Sequence, residues 1–199
     1  MWVRVADQQA HADPAVSRAK FAREMITFME RRWEHHQNGW WLIEADFPKA
    51  FFIMSTAQLV PAGVMFGVEF DFTDYDLLPP SVRLVNPFTR QPYLLKEAPT
   101  RLLRRVRVEV PDQPQGFAEG HQAMLIAHSE DAVPFICVPG TREYHEHPAH
   151  TGDNWLLHRG SAEGTLHHLL YTLYKYGVEP VKNYNVSMNI SYGIPAVPE

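Results

Sequence analysis

The stretch "GVMFGVEFDFTDYDLLPPSVRLVNP", residues 63–87, carries the clearest structural signal in this chain. Between residues 64 and 72, large apolar side chains occupy every second position. An alternation with a period of two is typical of a half-buried strand in an antiparallel sheet. The double proline Pro79-Pro80 interrupts the pattern, and residues 81–85 predict the next strand. Two neighbouring antiparallel strands are therefore the centre of the predicted fold.

The region before this stretch predicts a helix and two further strands. Asp13-Pro14 combines a good N-cap residue with a proline at the first helical position. Apolar residues then recur at helical spacing, which predicts an amphipathic helix that ends near His36. Apolar runs at 40–43 and 51–54, with a turn between them, predict strands.

The region after the central stretch contains weaker signals. Residues 102–110 and 124–128 are predicted to be extended, and the polar segment 111–120 is predicted to be a turn between them. Leucines at helical spacing predict a second amphipathic helix over 166–177. The tail, 183–192, alternates apolar and polar residues, which predicts either a last strand or a segment extended on a partner.

The order of the elements, together with the composition, bounds the class of protein. A helix, an antiparallel meander, an irregular loop and a final helix predict an α+β fold, with one sheet packed against helices. The chain has 199 residues, no internal repeat and no visible boundary, so residues 1–199 are predicted to form a single domain. A net charge of -5 argues against a general nucleic-acid binder. A lone cysteine and the absence of a long apolar N-terminal run predict a cytoplasmic protein that does not bind membranes.

The segment "PFICVPGTREYHEHPAH", residues 134–150, contains the only cysteine, Cys137. Acidic and histidine side chains follow it closely, including Glu143 and His145. These residue types are those of an activated thiol nucleophile, and equally those of a metal site. A third alternative is that Cys137 is only a small buried side chain in an apolar run.

Residues 63–87 resemble the ubiquitin-conjugating enzyme (UBC) family. The residues that match the family pattern in order are Gly63, Phe66, Phe70, Asp74, Tyr75, Pro79, Pro80, Val82 and Leu84. The active-site segment of the family is an isoleucine-cysteine pair, a tryptophan and an apolar helix. It is similar to Ile136-Cys137, Trp155 and residues 164–173. The resemblance covers most of residues 14–176.

The resemblance implies a UBC-like fold, in which an antiparallel meander sheet packs against the N-terminal helix and the helix after the active-site loop. That loop would be enlarged, at about 138–158, and an extended tail would follow at about 180–199. The implied activity is that of a thioester-forming conjugating acyltransferase. Divergent bacterial members are the most similar, so the implied partners are a ubiquitin-like modifier protein, its activating enzyme and a deconjugating peptidase.

The resemblance also implies roles for individual residues. Cys137 would accept the C-terminus of the modifier and pass it to a target. The candidates for favouring the thiolate are His145, His147 and His158, and the candidates for orienting a histidine or deprotonating the incoming lysine are Glu143 and Glu146. The histidine-proline-asparagine motif of the family is absent, and His128 lies near its place. His128 is therefore a candidate for stabilising the oxyanion, and the neighbouring serine or a backbone amide in the active-site loop are the alternatives.

Substrate binding and docking can be placed in the same way. Tyr144, Asn154 and Trp155 are candidate substrate-binding residues, with structural roles in the loop as the alternative for each. The family docks the activating enzyme on its first helix. The cationic residues that lie there are Arg18, Lys20, Arg23, Arg31 and Arg32.

Metal binding remains open as a second function. Some divergent bacterial members carry a Cys-Glu-His-His signature associated with metal binding, and Cys137, Glu143, His145 and His147 resemble it. Zinc accepts sulfur, imidazole nitrogen and carboxylate oxygen, and His150 lies close enough to join. The spacing matches no established zinc pattern. The sequence therefore predicts a protein without a cofactor, with zinc at these residues as the alternative.

Overall fold

The structure is a computed structural model that describes residues 11–109, 117–185, 187, 191 and 193. It confirms an α+β fold in which an antiparallel sheet of four strands packs against helices. Among the described helices, none has the length and apolar character needed to cross a membrane.

The N-terminal helix begins as the sequence predicts. Helix α1 spans Pro14–Glu30, and the carboxylate of Asp13 accepts a hydrogen bond of 2.8 Å from the amide of Ala15. Arg31 leaves the helical backbone conformation, with φ -106° and ψ 15°, and α2 then spans Arg32–Gln37. The single helix predicted to end near residue 36 is therefore two helices with a one-residue break.

The sheet confirms the four strands predicted around the central stretch. Its spatial order is β1 (Trp40–Asp46), β2 (Lys49–Ser55), β3 (Val64–Asp71) and β4 (Ser81–Val85). Every neighbouring pair is antiparallel. The register places Val68 opposite Phe52 on one side and Leu84 on the other. These three side chains consequently share one face of the sheet.

The helices cover that face and close the core. The ring of Phe28 in α1 lies 5.1 Å from that of Phe52, and Phe21 lies 5.3 Å from Phe72, both in edge-to-face geometry. Helix α5, Leu166–Gly177, confirms the second predicted helix and buries its leucines in the same cluster. Each such aromatic pair adds about 0.5–1.5 kcal/mol beyond the burial of apolar area.

Two small hairpins connect the sheet to the cysteine. Strand β5, Leu103–Glu109, pairs with β6, Phe117–Ala123, and β7, Leu125–Ile126, pairs with β8, Phe135–Ile136. The turn predicted at 111–120 is wrong from Phe117 onward, because these residues pair with β5 despite their polar composition. The extended segment predicted at 124–128 is reduced to the two residues of β7.

The enlarged loop contains short helices, which the sequence did not predict. Helix α3 spans Arg142–Glu146, a 3-10 turn spans Pro148–His150, and α4 spans Trp155–His158. In the predicted tail strand, most of the alternating apolar positions lie outside the described residues, and Tyr184 is described without regular structure.

Candidate functional site

The cysteine follows the last short strand and lies beside a histidine. The amide of Cys137 donates a 2.7 Å hydrogen bond to the carbonyl of Met124, which fixes the backbone next to β8. Its Sγ atom lies 3.3 Å from Nε2 of His150, and both residues are partly exposed. A thiol at this distance can donate its hydrogen to an imidazole nitrogen. The structure therefore brings together a thiol and a base.

Burial and charge act on this thiol in opposite directions. Burial raises the pKa of Cys137, and the positive charge of Arg104 lowers it in part. The guanidinium of Arg104 is held on the β5–β6 hairpin by hydrogen bonds of 2.9 and 2.6 Å to Gln122. Because burial disfavours the thiolate, the sulfur needs a base that takes its proton when it reacts.

His145 has a structural role in the loop. The amide of Gly140 donates a 3.1 Å hydrogen bond to its Nε2 atom. Nδ1 must then carry the ring hydrogen, which it donates to the carbonyl of Asp153 at 2.8 Å. Both ring nitrogens are thus engaged with the backbone. The ring joins the two ends of the loop, and it does not contact the sulfur.

His147 and Glu143 are likewise engaged away from the sulfur. Nδ1 of His147 accepts a 3.2 Å hydrogen bond from the amide of Ala149, and its ring stacks on Phe135 with centroids 5.2 Å apart. Glu143 accepts a hydrogen bond from the hydroxyl of Ser81, at the start of β4. Its second oxygen is buried and has no partner among the described residues.

A polar network lies behind His150. The rings of Tyr144 and His150 stack with centroids 3.9 Å apart, and the Tyr144 hydroxyl donates a 2.7 Å hydrogen bond to Asp153. His158 binds Asp153 through one ring nitrogen and Glu163 through the other. These carboxylates raise the pKa of His158, and the bonds from His158 and Tyr144 lower that of Asp153. Burial, with the bond to Asp153, raises the pKa of Tyr144 to about 12, so its hydroxyl stays a donor at neutral pH.

The remaining candidates serve the local structure or stand apart. Asn154 caps α4, with a 2.9 Å hydrogen bond from the amide of Leu156. Trp155 is buried and donates a 2.9 Å hydrogen bond to the carbonyl of Asp76. Of the two roles predicted for Trp155, substrate binding or structural support of the loop, this contact favours structural support. His128 is exposed on the bend after β7, and its side chain makes no hydrogen bond to a described residue.

The backbone amides around the cysteine are already occupied. Those of Val138 and Thr141 donate to carbonyls within the same turn, and that of Gly140 donates to His145. The backbone amide considered for an oxyanion hole is therefore engaged in this structure. The guanidinium of Arg104 is the positive charge that acts on the sulfur.

A cleft of about 320 Å³ opens beside the pair. Its apolar walls include Leu77, Pro79 and Leu156, and its polar walls include Glu146, Asp153 and His150. His150 lines the cleft and Cys137 does not, so the cleft borders the pair on the side of His150. A space of this size, with apolar walls and a few polar groups, suits a side chain or a short segment of a larger substrate.

The predicted residues therefore divide into two groups. Cys137 and His150 meet, while Glu143, His145 and His147 each bind other groups nearby. Within the described part of the chain, no group of three or more His, Cys, Asp or Glu side chains is placed to hold a metal ion.

The sequence predicts His150 as a zinc ligand near Cys137, and no sequence signal singles out Asp153. The spacing of 13 residues between Cys137 and His150 has no recognisable pattern, because the contact depends on how the loop folds back. The available signal was Pro148, because proline favours a tight turn. The turn Pro148–His150 directs the chain back toward Cys137.

Comparison with known sequences places the chain in a family. The sequence profile described as Y4jH-like, for the Y4jH family, matches residues 12–181. A Sinorhizobium fredii protein (strain NBRC 101917 / NGR234) called uncharacterized protein y4jH is 42% identical over 194 residues, which cover 94% of each chain. The chain belongs to the Y4jH-like family, and neither name states an activity.

Proposed function

We propose that this member of the Y4jH family is a ubiquitin-conjugating-like acyltransferase of a bacterial cytoplasmic modification pathway. In this proposal Cys137 accepts the C-terminus of a ubiquitin-like modifier from an activating enzyme, and then passes it to a target. A deconjugating peptidase would reverse the modification. The observation that carries the proposal is the contact of 3.3 Å between the Cys137 sulfur and Nε2 of His150 at a partly exposed position.

The arrangement of the fold supports the proposal. Helix α1 precedes a sheet whose strands pair in the order β1-β2-β3-β4, and the cysteine loop follows before α5. This is the order of elements in the UBC fold that the motifs of residues 63–87 imply. The loop is also held against the sheet region, since the amide of Arg142 donates a 2.9 Å hydrogen bond to the carbonyl of Pro80.

The transfer can be written with the groups present. In the first step the sulfur of Cys137 attacks the thioester carbonyl carbon of the charged activating enzyme, while Nε2 of His150 takes the thiol proton. A new carbon–sulfur bond forms, the old one breaks, and the proton passes to the departing thiol. In the second step the acceptor amine or hydroxyl forms a new bond to the thioester carbonyl carbon, and the Cys137 sulfur leaves with its bonding electrons. The proton of the acceptor passes through Nε2 of His150 to that sulfur.

The local charges fit these steps. Arg104 places positive charge near the sulfur, where it favours the developing thiolate and the oxyanion. His150 is the base because its Nε2 faces the sulfur, whereas both ring nitrogens of His145 are bonded to the backbone. In this proposal the acceptor side chain binds in the cleft that His150 lines.

The decisive experiment charges the purified protein with a modifier and its activating enzyme, taken from the neighbourhood of the gene. Wild-type protein should form a conjugate that thiol reductants cleave, and Cys137→Ser should form at most a conjugate that resists them. Cys137→Ala should form none. A reducible conjugate that persists in Cys137→Ala would contradict the proposal.

A second candidate function, zinc binding, is favoured by one observation. Sulfur and imidazole nitrogen 3.3 Å apart are two atoms that zinc accepts, and the ring of His147 lies 5.8 Å from that of His150 between centroids. Elemental analysis separates the two functions. One zinc per chain that is lost in Cys137→Ala and released by mild acid would favour this candidate over acyl transfer.

A further inference from the structure

Two residues outside the thiol–imidazole contact control how the base is held. We infer that Tyr144 and Asp153 form a positioning pair that keeps the imidazole of His150 directed at the sulfur of Cys137. The inference rests on the proposed function, because it assumes that His150 takes the proton of Cys137. Neither residue of the pair touches the sulfur in the described contacts, so both act through His150.

The first observation is the limited support of His150 itself. It ends a 3-10 turn of three residues, and its amide donates a 2.9 Å hydrogen bond to the carbonyl of His147. Among the described residues its side chain has one hydrogen-bond contact, which is that with Cys137. A histidine on such a turn has several rotamers, and only some direct Nε2 at the sulfur.

The second observation is the ring that covers the imidazole. Tyr144 stacks on His150 with a centroid distance of 3.9 Å and an angle of 23° between the planes. The stack restricts rotation of the imidazole out of its plane. Because Tyr144 lies on α3 and His150 on the following turn, the contact joins two separate short elements of the loop.

The third observation is that the tyrosine is itself held. Its hydroxyl donates a 2.7 Å hydrogen bond to Asp153, whose other carboxylate oxygen binds His158. The carbonyl of Asp153 accepts the Nδ1 hydrogen of His145 at 2.8 Å. Asp153 is therefore anchored through both its side chain and its backbone, which makes it a fixed point for the tyrosine ring.

The consequence for reactivity follows from the environment of the sulfur. Since burial raises the pKa of Cys137, the thiolate is scarce near neutral pH unless a base is in place. Loss of positioning should then slow the reaction near neutral pH and leave it unchanged in alkali, where the thiolate forms without a base. A variant that is merely less stable would not show this dependence on pH.

The test measures alkylation of Cys137 by iodoacetamide across the pH range, together with the urea midpoint of each variant. Tyr144→Leu removes the stacked ring and should react about tenfold more slowly near neutral pH. Tyr144→Phe keeps the ring and loses the bond to Asp153, so it should react about threefold more slowly. Both should approach the wild-type rate in alkali.

Asp153→Ala completes the experiment, because it removes the acceptor of the Tyr144 hydroxyl and keeps the backbone carbonyl. It should slow alkylation to about the same extent as Tyr144→Phe, and the double variant should be little slower than either one, because both changes break the same connection. Tyr171→Phe and Asp131→Asn are matched controls, since both side chains are exposed and neither forms a described hydrogen bond with a residue of the loop. Neither control should change the profile.

The outcomes separate this inference from the proposed function. If His150→Gln slows alkylation while Tyr144→Leu, Tyr144→Phe and Asp153→Ala retain the wild-type profile, the base is real and the positioning pair is wrong. If His150→Gln itself leaves the profile unchanged, the base of the proposed function fails first. Variants that lose urea stability without a pH-dependent change in rate would also overturn the inference.

Discussion

Two histidines of this protein each lie 3.3 Å from a second titratable group, in regions of opposite character. His35 contacts His167 within the aromatic core, and it is 1% exposed between the rings of Phe28 and Trp40. His150 contacts Cys137 in the loop that follows β8, where both residues are partly exposed.

The difference teaches that burial decides what an imidazole can do. Burial, and secondarily the charge of His167, lowers the pKa of His35 to about 4, so this ring is neutral under ordinary conditions. A proton on it would be costly, because aromatic neighbours cannot solvate the charge. His150 is partly open to water. The core histidine therefore packs, while the loop histidine contacts a thiol.

The largest expected effect concerns the backbone of the loop. Gly140 has φ +92°, and a Cβ atom there would lie 2.4 Å from the carbonyl oxygen of Glu163. Gly140→Ala combines left-handed strain with a backbone clash, so it should lower the free energy of unfolding by about 3 kcal/mol. Urea denaturation measures this loss.

Gly160→Ala is the matched control for this substitution. Gly160 has nearly the same φ, +93°, but a Cβ atom there meets nothing within 4 Å. Its loss should be about 1–2 kcal/mol, which is the strain alone. Equal losses at the two glycines would show that the contact with Glu163 does not hold the loop.

The second prediction tests the role of the loop histidine directly. His150→Gln should lower the rate of Cys137 alkylation near neutral pH by about thirtyfold, because a positioned base contributes at least this much to proton transfer. Rates of mass increase after iodoacetamide treatment measure the effect. The free energy of unfolding should change little, since the side chain is partly exposed.

Two histidine controls accompany it. His168→Gln, on the partly exposed side of α5, should leave the alkylation rate unchanged. His35→Gln should destabilise the protein, because it removes a buried stacked ring, yet the folded fraction should be alkylated at the wild-type rate. If His35→Gln slowed alkylation of folded protein as much as His150→Gln, the distinction between the two regions would not stand.

The third prediction tests the core histidine, His35, through the pH dependence of the free energy of unfolding. The pKa of His35 in the folded state, about 4, lies below its ordinary value of 6.5. The unfolded chain therefore binds more protons between these values, and the stability present above pH 6.5 is lost as the pH falls toward 4. From pH 7 to pH 5 the loss due to His35 should be about 2 kcal/mol.

His35→Phe isolates this contribution. Phenylalanine can occupy the place between Phe28 and Trp40 without titrating, so the difference in pH dependence between wild type and variant reports His35. His36→Phe is the neighbouring control, because that ring is partly exposed and stacks on Trp41. A variant His35→Phe with the full wild-type slope would show that other groups cause the acid sensitivity.

The core could be predicted from the sequence because its contacts follow periodicity. The alternation in β3 fixed which side chains face the helices, and the Asp13-Pro14 cap fixed where α1 begins. Strand β6 could not be predicted, since residues such as Glu119 and Gln122 have no apolar pattern. Their strand depends on backbone pairing with β5.

The loop resisted prediction because its contacts depend on polar groups that the chain brings together over short, irregular turns. The sequence identified Cys137 and a histidine-rich neighbourhood, but the type of residue alone could not tell His150 from His145. That distinction comes from the hydrogen bond between the amide of Gly140 and Nε2 of His145. A backbone donor fixes the tautomer, and no sequence pattern encodes it.

The smallest expected effect is on the exposed surface of helices α1 and α2, which we propose as the docking surface for the activating enzyme. Of the cations predicted there, Arg23 and Arg32 are exposed and form no ion pair with a described carboxylate, and Trp33 beside them is 75% exposed.

Reversing both charges, Arg23→Glu with Arg32→Glu, should change the free energy of unfolding by less than about 0.5 kcal/mol, because surface charges contribute little. It should nevertheless slow charging by the activating enzyme about tenfold, since a complementary charge accelerates association. Arg83→Glu with Lys182→Glu, two exposed reversals on β4 and after α5 that make the same change in net charge, are the control. Charging at the wild-type rate in the double reversal would place the docking surface elsewhere, while a stability loss above about 1 kcal/mol would show that this helix surface supports the core after all.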